Sequence, residues 1–353
     1  MTEARTGDQA GATVNETAPL SSLRAIGRGG LTVGVHSFGA APIANLAHAV
    51  TDDEAFDALE AAWAAGVRYY DVAPHYGVGL GERRLGQFLG SKPRSEFIVS
   101  TKVGRLLVED SRGARPDDQG FAVSSSLVRR WDFSSDGIRR SLDESLARLG
   151  LDRIAIVYVH DPDDFHDQAL DESFPPLAAL RRDRTITSYG AGMNQAAMLT
   201  EFVNNTDVDV VMCAGRFTLL EQGALRDLLP AATRRNVSVV AAAVFNSGLL
   251  ATDRPSPAAT YDYRAVPARL PARANALADV CARHGVSLPA AAVQFPLHHP
   301  AVATVCIGAR SYEQVTRNAR LFSEAIPRSL WAELEDLGLI DVLSAPHPTE
   351  DEG

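Results

Sequence analysis

Short apolar runs alternate with longer amphipathic stretches through most of this 353-residue chain. Eight of the apolar runs are predicted to be buried β-strands: 31–38, 67–70, 96–101, 154–159, 186–191, 208–213, 237–244 and 302–307. Apolar residues spaced three and four apart predict helices at 53–65, 82–89, 137–149, 196–204, 225–235, 273–284 and 312–322. Eight strands separated by helices are the number that closes a parallel sheet on itself. We therefore predict an α/β fold of the (β/α)8, or TIM barrel, type.

The boundaries of this barrel follow from local signals. Ser135 and Asp136 precede one predicted helix as a cap, and Gly66 and Gly150 follow two others. No linker or low-complexity tract divides the interior, so we predict one domain over 22–345, with an inserted loop at about 103–133. The segments 1–21 and 346–353 are predicted to be mobile tails.

Composition excludes several classes of partner. Lys and Arg number 34 against 44 Asp and Glu, which gives a net charge of -10 and no basic field for nucleic acid or an anionic membrane. The cysteines Cys213, Cys281 and Cys306 are scattered without metal-ligand spacing, and we expect reduced thiols and no metal. The chain shows neither a signal-peptide pattern nor an apolar run of membrane-spanning length. A cytoplasmic protein acting on small molecules is the expectation.

Polar residues follow the second, third and fourth predicted strands. Asp71 and Tyr76 come after the second strand, Lys102 after the third and His160 after the fourth. A phenol has a pKa of about 10 and is a weak acid or base at neutral pH. We expect the charge on Lys102 to lower the pKa of Tyr76, with Asp71 keeping the lysine charged and His160 hydrogen-bonding the reacting oxygen.

These four residues resemble, one by one, the catalytic tetrad of the aldo-keto reductase superfamily. Each alone has an ordinary interpretation: a packed loop tyrosine, a solvated lysine, a satisfied histidine or a turn-forming aspartate. Together they imply a TIM barrel that moves a hydride between a nicotinamide cofactor and a carbonyl or alcohol, with Asp71, Tyr76, Lys102 and His160 in catalytic roles.

The same resemblance implies cofactor contacts after the fifth and seventh strands. Asn194 is expected to hydrogen-bond the nicotinamide carboxamide, although it could equally be a helix cap. Phe245 is expected against the nicotinamide ring, where packing is the alternative. Gly248 would allow a pyrophosphate to approach the backbone closely.

The segment after the eighth strand resembles the superfamily's site for the adenosine half of the cofactor. Its expected contacts are Gly308, Arg310, Gln314 and Asn318. Many NADPH-dependent members have Lys where this chain has Gly308 and Arg where it has Gln314. Arg310 is the remaining cation for a 2'-phosphate, or else a solvated loop residue. We therefore expect NAD as the preferred cofactor, with NADP as the alternative.

Four stretches resemble the branch of the superfamily that contains D-threo-aldose 1-dehydrogenase, L-fucose dehydrogenase and pyridoxal 4-dehydrogenase. They are 73–86, 100–107, 159–163 and 214–220. This branch implies oxidation of the anomeric hydroxyl of a cyclic hemiacetal to a lactone, the substrate being an aldose such as L-fucose or D-arabinose, or pyridoxal. The candidate substrate contacts are His75, Arg105, Tyr261 and Tyr263, each of which has a solvated-loop alternative.

Two other functions are compatible with the same residues. One is a general reductase of aldehydes and ketones that uses NADPH, against which the missing cations at 308 and 314 argue. The other is a non-catalytic regulatory subunit that binds a nicotinamide cofactor, which the intact tetrad makes unnecessary.

Overall fold

A computed structural model describes residues 22–255, 260–261, 264–265, 267 and 269–341. Its strands are β1 Leu23–Ile26, β2 Leu31–Gly34, β3 His36–Gly39, β4 Tyr69–Asp71, β5 Ile98–Val103, β6 Arg105–Glu109, β7 Arg115–Pro116, β8 Ser124–Ser125, β9 Leu127–Trp131, β10 Ile156–His160, β11 Ser188–Met193, β12 Val210–Ala214, β13 Ser238–Ala242, β14 Thr260–Tyr261, β15 Arg264–Ala265 and β16 Val302–Gly308. The predicted tails at 1–21 and 346–353 lie outside the described residues.

Eight of these strands close into a parallel barrel, which confirms the predicted fold. Around the barrel the order is β3, β4, β5, β10, β11, β12, β13 and β16, and β16 pairs with β3 to complete the circle. Parallel strands put all their carboxyl ends at one face, where loops of different sequence can meet over a rigid interior. The side chains after β4, β5 and β10 therefore converge, because these three strands are neighbours.

The helices pack around the outside of the barrel. They are α1 Asp52–Ala64, α2 Leu80–Leu89, α3 Ser135–Leu149, α4 His166–Gln168, α5 Phe174–Arg182, α6 Ala196–Asn205, α7 Leu228–Arg235, α8 Arg269–Arg283, α9 Leu288–Gln294, α10 Tyr312–Leu321 and α11 Arg328–Asp336. Each of the seven predicted helices is present with shifted ends. In the described part of the chain, no helix is long and apolar enough to cross a bilayer.

The helix ends show how local sequence fixes the boundaries. Thr51 and Glu54 form a reciprocal capping box at the start of α1. At α3 the cap is Ser134, whose hydroxyl accepts from the Gly137 N–H, so the predicted cap at Ser135 and Asp136 was wrong by one position. Gly150 ends that helix in the left-handed region, as glycine allows without a steric penalty.

The predicted first strand, 31–38, is two strands. Residues of β2 pair antiparallel with β1, and only β3 enters the barrel. Ile26 and Val33 of this hairpin pack into the same cluster as Tyr69 and Tyr158 inside the barrel, so the hairpin closes its amino-terminal end. The run 31–38 did not distinguish the two strands by its apolar residues, although only Val33 of β2 is buried, whereas three of the four residues of β3 are.

The insertion between β5 and α3 forms a lid-like segment of its own. Strands β6 and β9 make an antiparallel hairpin, and β7 and β8 a smaller one. The segment is tied back to the loop after β3 by the bridge between Leu46 and Phe121 and by two backbone bonds, from Ala47 N–H to Gly120 and from Ala122 N–H to Asn45. It therefore stands over the carboxyl-terminal face of the barrel.

Three helices of ordinary length were missed. All seven residues of α9 are buried, so it has no polar face to produce a helical period. Prolines near the starts of α5 and α9 occupy first-turn positions, where a missing N–H costs nothing. The pattern at 328–336 (α11) was present but was not assigned.

Candidate active site

Three strand ends and one loop bring the predicted tetrad together. Asp71 ends β4, Lys102 lies near the end of β5, and His160 ends β10. The loop after β4 returns Tyr76 over them through backbone bonds such as Tyr76 N–H to the Ala73 carbonyl. The geometry is thus set by the barrel for three residues and by a tight loop for the fourth.

Lys102 is the centre of the arrangement. Its Nζ lies 2.6 Å from Asp71 Oδ2, 3.0 Å from Tyr76 Oη and 3.1 Å from the Val72 carbonyl oxygen. An ammonium has three N–H donors and no acceptor, so these three contacts use all of them. Tyr76 Oη must therefore accept from Lys102, which leaves the phenol's own proton pointing away from the lysine and available for transfer.

The lysine stays charged although it is only 2% exposed. Burial alone would lower the pKa of Lys102, but the adjacent Asp71 carboxylate and the Tyr76 oxygen outweigh it and raise that pKa above its ordinary value. The predicted role of Asp71, to keep Lys102 charged, agrees with this geometry.

The expected direction of the Tyr76 shift was wrong. Burial is the largest effect on the phenol and raises its pKa to about 12, whereas Lys102 acts in the opposite sense and only limits the rise. Sequence reasoning counted the cation and not the loss of water around the ring. The free enzyme therefore holds Tyr76 as a neutral phenol at neutral pH.

His160 faces Tyr76 as an uncharged imidazole. The two rings meet edge to face with centroids 6.0 Å apart. Burial, with Arg105 and Lys102 nearby, lowers the pKa of His160 well below its ordinary value. Its Nε2 lies 3.5 Å from Asp161 Oδ2, and its buried Nδ1 has no hydrogen-bond partner. A neutral imidazole at this point can donate one hydrogen bond to a reacting oxygen without adding a charge.

The inserted segment forms one wall of the site. Phe121 stacks on Tyr76 with ring centroids 6.1 Å apart and meets His75 at 5.2 Å with the rings perpendicular. Arg129 donates from Nε and a terminal nitrogen to the His75 carbonyl and forms an ion pair with Asp117. The wall packs against one side of Tyr76, which is half-buried. Burial likewise lowers the pKa of His75 to about 2, so His75 is neutral.

A second charged pair lies beside the tetrad. Arg105, at the start of β6, donates to Asp161 Oδ2 at 2.5 Å, and its buried Nε has no partner. Asp161 directly follows His160 and has a φ of 41°, a left-handed conformation that is unusual outside glycine. Sequence reasoning missed Asp161 as a site residue. The only sequence signal was its place in the His160-Asp161-Pro162-Asp163 stretch.

The predicted contacts for the adenosine half of the cofactor meet at the junction of β16 and α10. The Ser311 hydroxyl accepts from the Gln314 N–H and caps α10, and Gln314 Oε1 accepts from the Arg310 N–H. Arg310 Nε and Asn318 Oδ1 are buried without hydrogen-bond partners. An unpaired donor just before α10 and an unpaired acceptor in its second turn fit a phosphate and an adenine amine, respectively.

Gly308 is glycine for a steric reason. A Cβ built there would lie 2.6 Å from Pro42 Cγ and 2.7 Å from Pro42 Cδ. A lysine could not occupy this position without displacing the proline ring. The glycine at 308 is therefore linked to Pro42 on the neighbouring loop.

The remaining predicted residues are more dispersed. Asn194 is exposed just after β11, and the N-cap residue of α6 is Gln195, so Asn194 is not that cap. Phe245 is half-buried after β13, and Gly248, with φ 100°, has open space where a side chain would be. Tyr261 lies in β14, where only the backbone is described, and Tyr263 lies outside the described residues.

The family model described as "Aldo/keto reductase family" matches residues 34–338. The chain belongs to this family. Its similarity to a D-threo-aldose 1-dehydrogenase from a Pseudomonas species is 47% identity over 316 residues, covering 88% of this chain and 96% of the relative. A pyridoxal 4-dehydrogenase from Microbacterium luteolum is 39% identical over 338 residues, covering 91% and 98%. The predicted family and branch are confirmed, as is the prediction of an oxidoreductase that acts on CH–OH groups.

Solved structures agree with the fold. A glycerol dehydrogenase from Gluconobacter oxydans superimposes with a TM-score of 0.72 at 23% identity, covering 97% of this chain and 99% of that one. At that identity the likeness concerns the barrel alone. In the part of the chain that the structure describes, no group of three or more His, Cys, Asp or Glu could hold a metal ion.

The contact between Lys102 and Tyr76 generates the first prediction. Tyr76→Phe removes the hydroxyl that accepts from Lys102 and should lower kcat by at least about two orders of magnitude. Folding, followed by circular dichroism, and cofactor binding, followed by fluorescence titration, should stay near wild type. Tyr70→Phe, which removes a buried hydroxyl that donates to the Val67 carbonyl outside the tetrad, serves as the matched control and should keep full activity. Turnover by the Tyr76→Phe variant close to that of the control would contradict the assignment.

Proposed function

We propose that this protein oxidises the anomeric hydroxyl of a cyclic hemiacetal, an aldose or pyridoxal, to a lactone with a nicotinamide dinucleotide as cofactor. The observation that carries the proposal is Lys102 Nζ held between Asp71 Oδ2 and Tyr76 Oη, with the neutral His160 opposite. The relatives at 47% and 39% identity, named for aldose and pyridoxal oxidation, support the substrate class.

Tyr76, His160 and Lys102 have separate roles in proton transfer. The substrate hydroxyl lies between Tyr76 and His160; Tyr76 takes its proton, and His160 donates a hydrogen bond to the same oxygen. Lys102 stabilises the phenolate form of Tyr76 that accepts the proton. When bound, the oxidised nicotinamide accepts the hydride that leaves the anomeric carbon. Loss of the proton from the hydroxyl oxygen and of the hydride from the anomeric carbon leaves a C=O bond, so the ring becomes a lactone.

The pH dependence follows from the Tyr76 shift. Oxidation needs the phenolate and reduction needs the phenol, so a pKa of about 12 favours reduction at neutral pH and oxidation as the pH rises. Both directions use the same residues by microscopic reversibility.

Arg105 and Asp161 are the polar groups we assign to the sugar ring. Asp161 Oδ2 lies beside His160 Nε2, and Arg105 Nε is an unpaired buried donor. Together they offer one acceptor and one donor next to the reacting carbon. A sugar hydroxyl both donates and accepts, so the pair suits a hydroxyl adjacent to the anomeric position.

The cofactor we propose is NAD in preference to NADP. The two positions compared with NADPH-dependent members hold Gly308 and Gln314, the Gln314 side chain accepts from the Arg310 N–H, and Arg310 is the remaining cation. Asn318, buried with a free acceptor, would hold the adenine of either cofactor.

The three cysteines are free and buried thiols, which supports a cytoplasmic location.

The product of the first turnover tests the proposed function. Oxidation of the closed ring should yield a lactone first, with the free acid appearing only after slower hydrolysis. Rapid quenching of the reaction with L-fucose or D-arabinose, followed by trapping with hydroxylamine, separates the two products. Acid formed at the rate of cofactor reduction, with no trapped lactone, would point to a hydrated aldehyde instead. Activity confined to reduction of aldehydes with NADPH would favour the general reductase.

Asp161 should set a preference for substrates with a hydroxyl beside the anomeric carbon. We expect the wild-type enzyme to favour such an aldose over its 2-deoxy analogue by roughly tenfold to a hundredfold in kcat/KM, the value typical of a charged hydrogen bond. Asp161→Asn should lose most of that preference. Asp164→Asn, at an exposed position in the same loop, should retain it. Equal losses on both substrates would mean that Asp161 does not contact this hydroxyl.

Arg310 should distinguish the two cofactors. Arg310→Ala is expected to weaken NADP binding by about 1 to 3 kcal/mol, the cost of a lost charged hydrogen bond, with little change for NAD. Calorimetric titration of both cofactors measures this directly. Arg320→Ala, at an exposed position in the last turn of α10, is the control. Equal weakening of NAD and NADP binding would show that Arg310 does not contact the 2'-phosphate.

A further inference from the structure

A row of hydroxyl groups runs from Asp71 into the interior of the barrel. Ser100 Oγ donates to Asp71 Oδ1 at 2.7 Å, Tyr69 Oη lies 3.0 Å from Ser100 Oγ, and Tyr158 Oη lies 3.1 Å from Tyr69 Oη. All four residues are between 0% and 2% exposed. None of the three hydroxyls touches the place where a substrate would react, so the proposed chemistry leaves them unexplained.

The direction of every bond in this row is fixed by the carboxylate. A carboxylate can only accept hydrogen bonds, so the Ser100 hydroxyl must donate its one hydrogen bond to Asp71. Ser100 then accepts from Tyr69, and Tyr69, having donated, accepts from Tyr158. The three O–H dipoles therefore point head to tail toward Asp71 Oδ1, an arrangement in which each bond strengthens the next.

Packing alone does not account for two phenols at these positions. Phenylalanine would fill nearly the same volume, and burying a hydroxyl costs free energy unless it is hydrogen-bonded. Burial raises the pKa of Tyr158 well above its ordinary value, and the same holds for Tyr69, so both remain proton donors across the working pH range. The row is then a fixed source of positive potential at Asp71.

We propose that Ser100, Tyr69 and Tyr158 are positioning residues that, through Asp71 and Lys102, set the protonation of Tyr76. Asp71 has two oxygens: Oδ2 accepts from Lys102 and Oδ1 from Ser100. Without the hydroxyl row Asp71 would attract the lysine proton more strongly, and Lys102 would offer less positive charge to Tyr76. The phenolate would then form only at higher pH. This inference rests on the proposed acid–base role of Tyr76.

The test is the pH profile of kcat for Ser100→Ala, Tyr69→Phe and Tyr158→Phe. Each should move the rise of kcat for oxidation to higher pH, by roughly one pH unit for Ser100→Ala and least for Tyr158→Phe. At a fixed pH below the rise, a shift of one unit appears as a tenfold loss of kcat that is recovered as the pH increases. Reduction of a test aldehyde should show its fall in kcat displaced in the same direction.

Two variants separate this role from a structural one. Tyr70→Phe removes a buried hydroxyl from the adjacent residue, which donates to the Val67 carbonyl outside the row, and should leave the profile unmoved. Ser100→Thr keeps a hydroxyl and should restore the wild-type profile that Ser100→Ala shifts. The comparison of Thr with Ala at position 100 also decides the matter if a tyrosine variant does not fold.

Two results would contradict the inference. Profiles that match wild type in pH, with kcat unchanged or lowered uniformly, would overturn the inference, as would the same shift in Tyr70→Phe. Because reduction of any accepted aldehyde reports the profile, failure of the enzyme to oxidise aldoses would reject the proposed substrate without affecting this test. Full activity in Tyr76→Phe would reject the proposed acid–base residue itself.

Discussion

The buried ion pair between Lys102 and Asp71 is the interaction on which the site depends. Removing an ammonium and a carboxylate from water costs several kcal/mol for each ion, and the mutual attraction offsets this only when the remaining hydrogen-bonding capacity is filled. Here the three lysine donors have three acceptors, and the carboxylate accepts from both Lys102 and Ser100. The pair is satisfied only because β4 and β5 are adjacent, so the order of strands in the barrel is a condition of the chemistry.

Burial has opposite consequences for the two ends of this network. It binds Lys102 tightly to Asp71, and it also raises the pKa of Tyr76 to about 12 in spite of the lysine. The inserted segment contributes to this through Phe121, which covers one face of the phenol. The segment therefore packs against the site and at the same time opposes ionisation of Tyr76, which must ionise for the oxidation that we propose. A fixed positive potential from beneath the site, supplied by the hydroxyl row, reduces that conflict.

The barrel could be predicted because the spacing of apolar residues indicates eight strands separated by helices. The tetrad residues were predicted to meet because they follow successive strands along the chain. The sequence did not predict the split of 31–38 into β2 and β3, since a strand that closes the barrel and one that forms it are equally apolar. The sign of the Tyr76 shift depends on how much water the fold removes, which no local pattern records. Asp161 was missed because its importance comes from a contact with Arg105, 56 positions away.

The cofactor end shows that a missing residue can have a structural cause. From the sequence alone, Gly308 stands where the resemblance leads one to expect a lysine, and a Gly308→Lys substitution would be expected to supply a phosphate contact. In the structure the Pro42 ring stands within 2.7 Å of any side chain that begins there. Pro42 opens the short helical turn after β3, so its ring is held by the backbone and cannot swing aside. The glycine at 308 and the proline at 42 therefore form one feature, and a cationic side chain at 308 would also require a different residue at 42.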